Sequence, residues 1–139
     1  MASAASDQGG GLTWRVIFDE PASGARNMAL DHALAMSAKR GDGVLRMYSW
    51  TSRTVSLGRH EPAKIVYDRS AADAAGIDFV RRPTGGRAVL HDAELTYGVV
   101  LPDRTHGGPK RVYSKIHEGL ASGLNQFGVG AAVAAGGVV

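Results

Sequence analysis

RRPTGGRAVLH, residues 81–91, sets two arginines side by side, then a proline, a Gly-Gly pair, a third arginine and a short apolar run that ends in histidine. Proline fixes φ and glycine tolerates φ > 0, so Pro83–Gly86 reads as a turn between two extended pieces. Successive side chains on a strand point to opposite faces. Only one of Arg81 and Arg82 can therefore face a given pocket, and the sequence leaves open which. A guanidinium offers a planar fork of donors matched to carboxylate or phosphate. A Gly-Gly turn presents bare backbone N–H groups and lets a ligand approach closely. Small Ala88 leaves room beside a chain, and His91 can donate or accept a proton. Taken singly, each feature has a purely structural explanation: a hairpin turn, ion-paired arginines, a core histidine. Their meeting within eleven residues marks a candidate anion or acyl site at Arg81, Arg82, Thr84, Gly85, Gly86, Arg87, Ala88 and His91. Neither GxxxxGK[ST] nor GxGxxG occurs, so ordinary nucleotide loops do not explain the stretch.

Outward from this loop, residues 77–81 read as a strand, as does the alternating set Leu95, Tyr97, Val99 and Leu101 on the other side. Thr13–Phe18 is β-branched and aromatic and reads as a first strand. Ala25–Lys39 has helical spacing, with Ala25, Met28, Ala29, Ala33 and Met36 on one face and Leu30 and Leu34 on a second, which predicts a well-buried helix stopped at Gly41–Gly43. Val44–Trp50 and Thr54–Gly58 alternate and are expected to pair antiparallel across residues 51–53. Asp68–Ala75 reads as a short helix ending at Gly76. Residues 102–111, with two prolines, read as a polar loop. The stripe Ile116, Leu120, Leu124 and Phe127 predicts a helix over 113–127 with Ser114 as N-cap and Gly128 as stop. Residues 129–139 look like the start of another strand, and residues 1–11 like a flexible leader, which places the folded part at 12–139.

The chain has 139 residues, enough for one domain with a real core. Its formal net charge is +3, without a run of five like charges, so a nucleic-acid tail is not indicated. There is no cysteine, which removes disulfides, Cys-based zinc sites and a cysteine nucleophile from these residues. No metal site is expected. No apolar run approaches a membrane span and no secretory h-region opens the chain, so a cytoplasmic enzyme or binding domain is expected, with no nucleic acid and no membrane among its partners.

RRPTGGRAVLHDAELTYGVV (81–100) resembles the signature of the lipoate–protein ligase A and octanoyltransferase family, which is related to biotin–protein ligases. NMALDHAL (27–34), LRMYSWTSRTVSLGRHEP (45–62) and YSKIHEGLASGLNQFGV (113–129) resemble further segments of that family, in the same order. The resemblance implies an α/β (α+β) fold, a mixed and largely antiparallel sheet flanked by helices, with the fatty acyl chain in a tunnel. It implies that the 81–91 segment lines that tunnel, that the arginine and the Gly-rich loop hold the acyl carboxyl or acyl-phosphate end, and that His91 and Asp92 sit at the mouth. Ser56, Leu57, Gly58 and His60 would form part of the opposite wall. Such enzymes move lipoyl or octanoyl groups onto a lysine of a lipoyl carrier domain, such as glycine cleavage H protein or a dehydrogenase E2. Ligases of the family use ATP and Mg2+; transferases draw octanoate from acyl carrier protein and need no cofactor.

Two departures bear on the branch and on completeness. Arg87 stands where many ligases have a third glycine, and Glu94-Leu95-Thr96-Tyr97 also fits the transferase branch better. The family's G-R-K-x-x-G-S lysine segment and the transferase cysteine are both absent, so the catalytic groups are expected beyond Val139 and the C-terminal part of the fold is expected to be missing. On this reading the chain is the acyl-binding portion of an acyltransferase or ligase; the alternative is a non-catalytic acyl-binding protein of the same fold.

Overall fold

In the computed structural model, residues 13–62, 67–102 and 108–134 are described. Residues 1–12, which include the expected leader, residues 63–66, half of the loop expected at 102–111 (103–107) and the tail 135–139 lie outside them. The chain divides into two units, 1–102 and 103–139.

The first unit runs β1 (Thr13–Phe18), α1 (Gly24–Ser37), β2 (Asp42–Tyr48), β3 (Thr54–Leu57), α2 (Arg69–Ala74), β4 (Asp78–Arg81), β5 (Val89–His91) and β6 (Thr96–Val100). The strands form two three-stranded mixed sheets, β1-β2-β6 and β4-β3-β5. In each, the central strand has one parallel and one antiparallel neighbour. The expected mixed α/β class holds, but the antiparallel majority does not. Nor do β2 and β3 form the expected hairpin. β2 already has β1 on one edge and β6 on the other, and β3 has β4 and β5, so neither has a free edge for the other. The link between them is drawn away by its own bonds: Trp50 bridges to Ala22, and Asn27 Nδ2 donates to the carbonyls of Ala22 (3.2 Å) and Ser49 (3.0 Å).

Ser23 caps α1 through the Arg26 N–H, and Asp68 caps α2 through the Ala71 N–H at 3.0 Å. The apolar faces expected to bury α1 are not what it buries. Its buried residues are Gly24 and Asn27, and Met36 is exposed. A Cβ on Gly24 would lie 2.7 Å from Thr54 Cγ2 and 3.2 Å from Trp50 Cζ3, so glycine lets the helix start close against the second sheet. Asn27 and Asp31, one turn apart, point instead at Arg46 of β2. Arg46, 1% exposed, donates to Asp19 (2.6 Å), Asp31 (2.7 Å), Asn27 Oδ1 (2.9 Å) and the Asn27 carbonyl (3.2 Å), and lies 4.0 Å over the Tyr48 ring. Burial alone would lower the Arg46 pKa, but its bonds to Asp19 and Asp31 outweigh that and raise it. The unit is thus closed around a polar centre: Arg46, Asn27, Thr54 and Ser56 are its largest fully buried side chains.

The second unit is built on α3 (Gly108–Gln126). The helix starts five residues before the expected Tyr113. Gly108 takes φ +78 and Pro109 supplies a preset φ at the first turn, so this proline opens a helix rather than prolonging a loop. Ser114 is therefore interior, donating to the Lys110 carbonyl at 3.2 Å instead of capping. Gly128, φ +78, ends the helix as expected. Residues 129–134 form no strand; Asn125 ties Ala131 back through both amide atoms, at 2.8 and 3.0 Å. The apolar stripe is present but open to solvent, with Phe127 88% exposed. Among the described residues no helix is long and apolar enough to cross a membrane.

Candidate functional site

The 81–91 segment is held against the end of β3 by backbone bonds on both sides of the turn. Arg82 N–H donates to the Leu57 carbonyl at 3.0 Å, and Arg59 N–H to the Thr84 carbonyl at 2.9 Å. Between these bonds Gly58 meets Gly86 so closely that a Cβ on Gly58 would lie 1.8 Å from the Gly86 carbonyl oxygen. Gly86 itself has φ +96, open to glycine at little cost. The two glycine positions that sequence motifs singled out separately are thus one contact.

Register settles the two arginines. Ser56 pairs with Val80 and Leu57 with Arg81, so Arg81 shares the Leu57 face and Arg82, one residue on, returns to the Ser56 face. Both side chains turn onto main-chain carbonyls. Arg81 Nη1 donates to the carbonyls of Gly58 (2.6 Å), Glu61 (3.0 Å) and Arg59 (3.2 Å). Arg82 donates from Nε and Nη2 to Gly85 O (3.2 and 3.0 Å), from Nη2 to Arg87 O (2.6 Å), and from Nη1 to Ser56 O (2.7 Å) and Ser56 Oγ (3.0 Å). A guanidinium has five N–H groups, and these five contacts use one each. Arg82 is a buckle across its own loop, which leaves it no spare donor fork for an anion in this arrangement.

On the same face, Ser56 Oγ and His91 Nε2 are 2.7 Å apart, and His91 Nδ1 lies 2.7 Å from Glu94 Oε1. Trp50 stacks on the His91 ring, centroids 4.0 Å apart and planes 12° apart, and donates to Thr96 Oγ1, which donates to Glu94. Sequence reasoning named Ser56 and His91 but gave no site role to Trp50, Glu94 or Thr96. The His91/Glu94 spacing of three was a usable signal; Trp50 carried none. Burial would raise the Glu94 pKa, but bonds from His91 and Thr96 prevail and lower it. Glu61 is lowered mainly by the Tyr67 hydroxyl, helped by the Gly58 and Ala88 N–H groups, and Asp68 by the Ala71 N–H it caps.

These three carboxylates are bound better as anions in the folded chain than in the unfolded one. Their contribution is complete above the ordinary carboxylate range, about pH 4, and is lost as pH falls through the lowered folded values. Thermal midpoints measured from pH 6 downward should hold until about pH 4 and then fall; a midpoint that rises on acidification would contradict this.

The remaining expected residues are placed as follows. Thr84, Gly85, Gly86 and Arg87 form an exposed rim, and His60 is exposed at the facing turn. Ala88 is half-buried and its N–H bonds Glu61. Asp92 is ion-paired with Arg53 at 3.5 Å, both largely exposed. β5 is the edge of its sheet, and its Val89 and Leu90 are 44% and 49% exposed. A concavity of roughly 400 Å3 lined by Thr13, Arg15, Leu34, Lys39, Asp42 and Val44, among others, includes no residue of this segment. Among the described residues no three His, Asp or Glu side chains converge as a metal site.

Residues 23–136 match the family described as lipoyl protein ligase A/B catalytic domain. Octanoyltransferase LipM of Carboxydothermus hydrogenoformans is 44% identical over 129 residues, covering 89% of this chain and 48% of that protein. Octanoyltransferase LipM of Bacillus subtilis is 42% identical over 124 residues, 86% of this chain and 45% of that protein. Among solved structures, the bi-partite lipoate protein ligase described with its E2 lipoyl domain from Thermoplasma acidophilum superposes with a TM-score of 0.74 at 27% identity, over 89% of this chain and 48% of that one. A lipoate-protein ligase A bound with ATP gives 0.72, also at 27%, over 85% and 47%. The chain spans about half the length of the curated relatives it matches.

Proposed function

The chain belongs to the lipoyl protein ligase A/B catalytic-domain family, and on that premise we propose that it holds an octanoyl or lipoyl group for transfer to a lysine of a lipoyl carrier domain. The observation that carries this reading is the pinned Gly85–Arg87 rim beside the exposed apolar edge strand Val89–Leu90. An acyl chain needs an apolar wall, and its carboxyl or thioester end needs fixed N–H donors. The rim and strand supply both within six residues, 85–90. In this role Gly58, Arg81 and Arg82 shape the loop, while the rim amides of Gly85, Gly86 and Arg87 face the acyl end, with Thr84, Ala88, His60 and His91 flanking it. Aligned donors at that point favour the oxyanion that develops when an amine attacks the acyl carbon.

The octanoyltransferase branch is favoured over the ligase branch because the curated relatives at 42–44% identity are octanoyltransferases, whereas the ligase structures stand at 27%. A transferase needs no cofactor. A ligase needs ATP and Mg2+, and no step here is routed through them. Acyl carrier protein as donor, an H protein or E2 lipoyl domain as acceptor, and a cytoplasmic setting are part of the same proposal.

The test is calorimetric titration of octanoate and lipoate into the chain, followed by mass spectrometry of a lipoyl domain incubated with octanoyl-acyl carrier protein. Pyrophosphate exchange with ATP separates ligase from transferase. Gly86→Val, which forces a β-branched residue to φ +96, should weaken acyl binding by at least about tenfold, the equivalent of roughly 1.4 kcal/mol. Unchanged affinity would remove the rim from the site. Binding without transfer upholds the acyl-holding role, since this chain contains neither the family's G-R-K-x-x-G-S segment nor a cysteine.

A further inference from the structure

Four side chains form a single file from the start of β6 to the Gly-Gly loop: Glu94, His91, Ser56 and Arg82. The successive contacts are 2.7, 2.7 and 3.0 Å. Their proton order follows from what each group can do. Arg82 only donates, so Ser56 Oγ accepts from it and spends its single proton on His91 Nε2. Nε2 of the neutral ring is then bare. The ring proton sits on Nδ1 and points at Glu94, which as a carboxylate only accepts. Stacking on Trp50, itself tied to Thr96 at 2.8 Å, holds the ring in plane.

The same three groups, serine, histidine and carboxylate, are those of an activated nucleophile. Two features weigh against that role. Ser56 is 1% exposed, and the Arg82 N–H occupies the oxygen that would attack.

We propose that Glu94 is a positioning residue that controls the Gly85–Arg87 rim at a distance. It fixes His91 as the Nδ1–H tautomer, His91 fixes the Ser56 hydroxyl, and the hydroxyl helps hold Arg82 where it pins the carbonyls of Gly85 and Arg87. The effect on ligand binding rests on the acyl-binding reading above; the relay does not. The groups facing His91 are Thr54 and Ser56 of β3, Trp50 before it, and Glu94, with Arg82 behind Ser56 and the Arg53–Asp92 pair beside it. Protonating His91 sets a second N–H against Ser56 Oγ, which already receives Arg82. The hydroxyl proton then has no acceptor within the file.

The experiment is histidine 15N NMR on the chain, amide hydrogen exchange at Gly85, Gly86 and Arg87, and octanoate calorimetry. The neutral His91 ring should be the Nδ1–H tautomer. Glu94→Ala should scramble that tautomer, speed exchange at the three amides and weaken octanoate, each by about tenfold. Glu94→Gln, whose amide oxygen still accepts from Nδ1–H, should restore most of both. Glu94 lies at the surface end of the file, so neither variant threatens the core. An Nε2–H tautomer in the unmodified chain, or equal behaviour of the two variants, would overturn the relay. So would labelling of Ser56 by a fluorophosphonate, which would make it a nucleophile. Tautomer and exchange as expected, with no octanoate bound, would uphold the relay and sink the acyl reading.

Discussion

Arg46→Met is expected to destabilise the chain by about 3–5 kcal/mol, the range for breaking a buried ion pair by removing one partner. The side chain has similar length, so the cost is not mainly a cavity. It comes from what is left behind. Asp19 and Asp31 lose partners at 2.6 and 2.7 Å, and Asn27 loses the donor to its side-chain oxygen. Asp31 also accepts the Tyr48 hydroxyl at 3.0 Å, and burial together with this carboxylate pushes the Tyr48 pKa upward, so Tyr48 stays a neutral donor and brings no positive charge to Asp31. Arg46 joins the end of β1, the buried face of α1 and the middle of β2, so the loss is felt by three elements at once. Urea unfolding of the two chains checks this. A loss below about 1 kcal/mol would mean the network is solvated rather than buried. Adding Asp31→Leu to the methionine variant should recover part of the loss, because it removes one stranded carboxylate.

Gly58→Ala is expected to disrupt the Gly85–Arg87 rim while Gly85→Ala does not. The alanine methyl at position 58 would fall 1.8 Å from the Gly86 carbonyl oxygen and 2.8 Å from its carbon. Neither side can yield cheaply, since backbone bonds from Arg82 to Leu57 and from Arg59 to Thr84 fasten the turn to the strand on both flanks. The methyl must therefore push the loop off β3, at about 1–3 kcal/mol or more by analogy with overpacked cores, and with it the Arg82 buckle. At Gly85 a Cβ meets nothing within 4 Å and the cost should stay within about 0.5 kcal/mol. Thermal melts and octanoate titration of both variants decide the matter. Equal behaviour would show that the close approach of the two loops does not matter.

Most elements were legible because their signals are local. Alternation marked β2, β3 and β6, β-branched and aromatic composition marked β1, and the Ala-rich run before Gly76 marked α2. What alternation cannot carry is partnership: nothing in residues 44–58 says that β2 prefers β1 and β6 to its sequence neighbour β3. The burial of α1 was misread for a different reason. Asn27 and Asp31 have the composition of a wet face, and only the arrival of Arg46 from β2 makes that face the inside. At the loop, residues 81–91 read as a candidate site with the arginines as forks for an anion. Their donors go to the loop's own carbonyls, a use that depends on where Gly58, Glu61, Gly85 and Arg87 place their oxygens. Pro109 was taken as loop material because the same residue serves loops and helix starts alike.

The polar centre of the first unit has a calorimetric consequence. Among the described residues, Ala22, Val44, Tyr48, Trp50 and Leu57 are its buried apolar side chains, against Asn27, Arg46, Thr54, Ser56 and His91. Hydrating apolar surface raises the heat capacity on unfolding, and hydrating polar surface lowers it. With the two kinds so nearly matched, the heat-capacity increment per residue should fall below the usual ~12–15 cal/mol/K. The stability curve of such a chain is flat rather than domed, and cooling takes less from it than from a chain held by an oily interior.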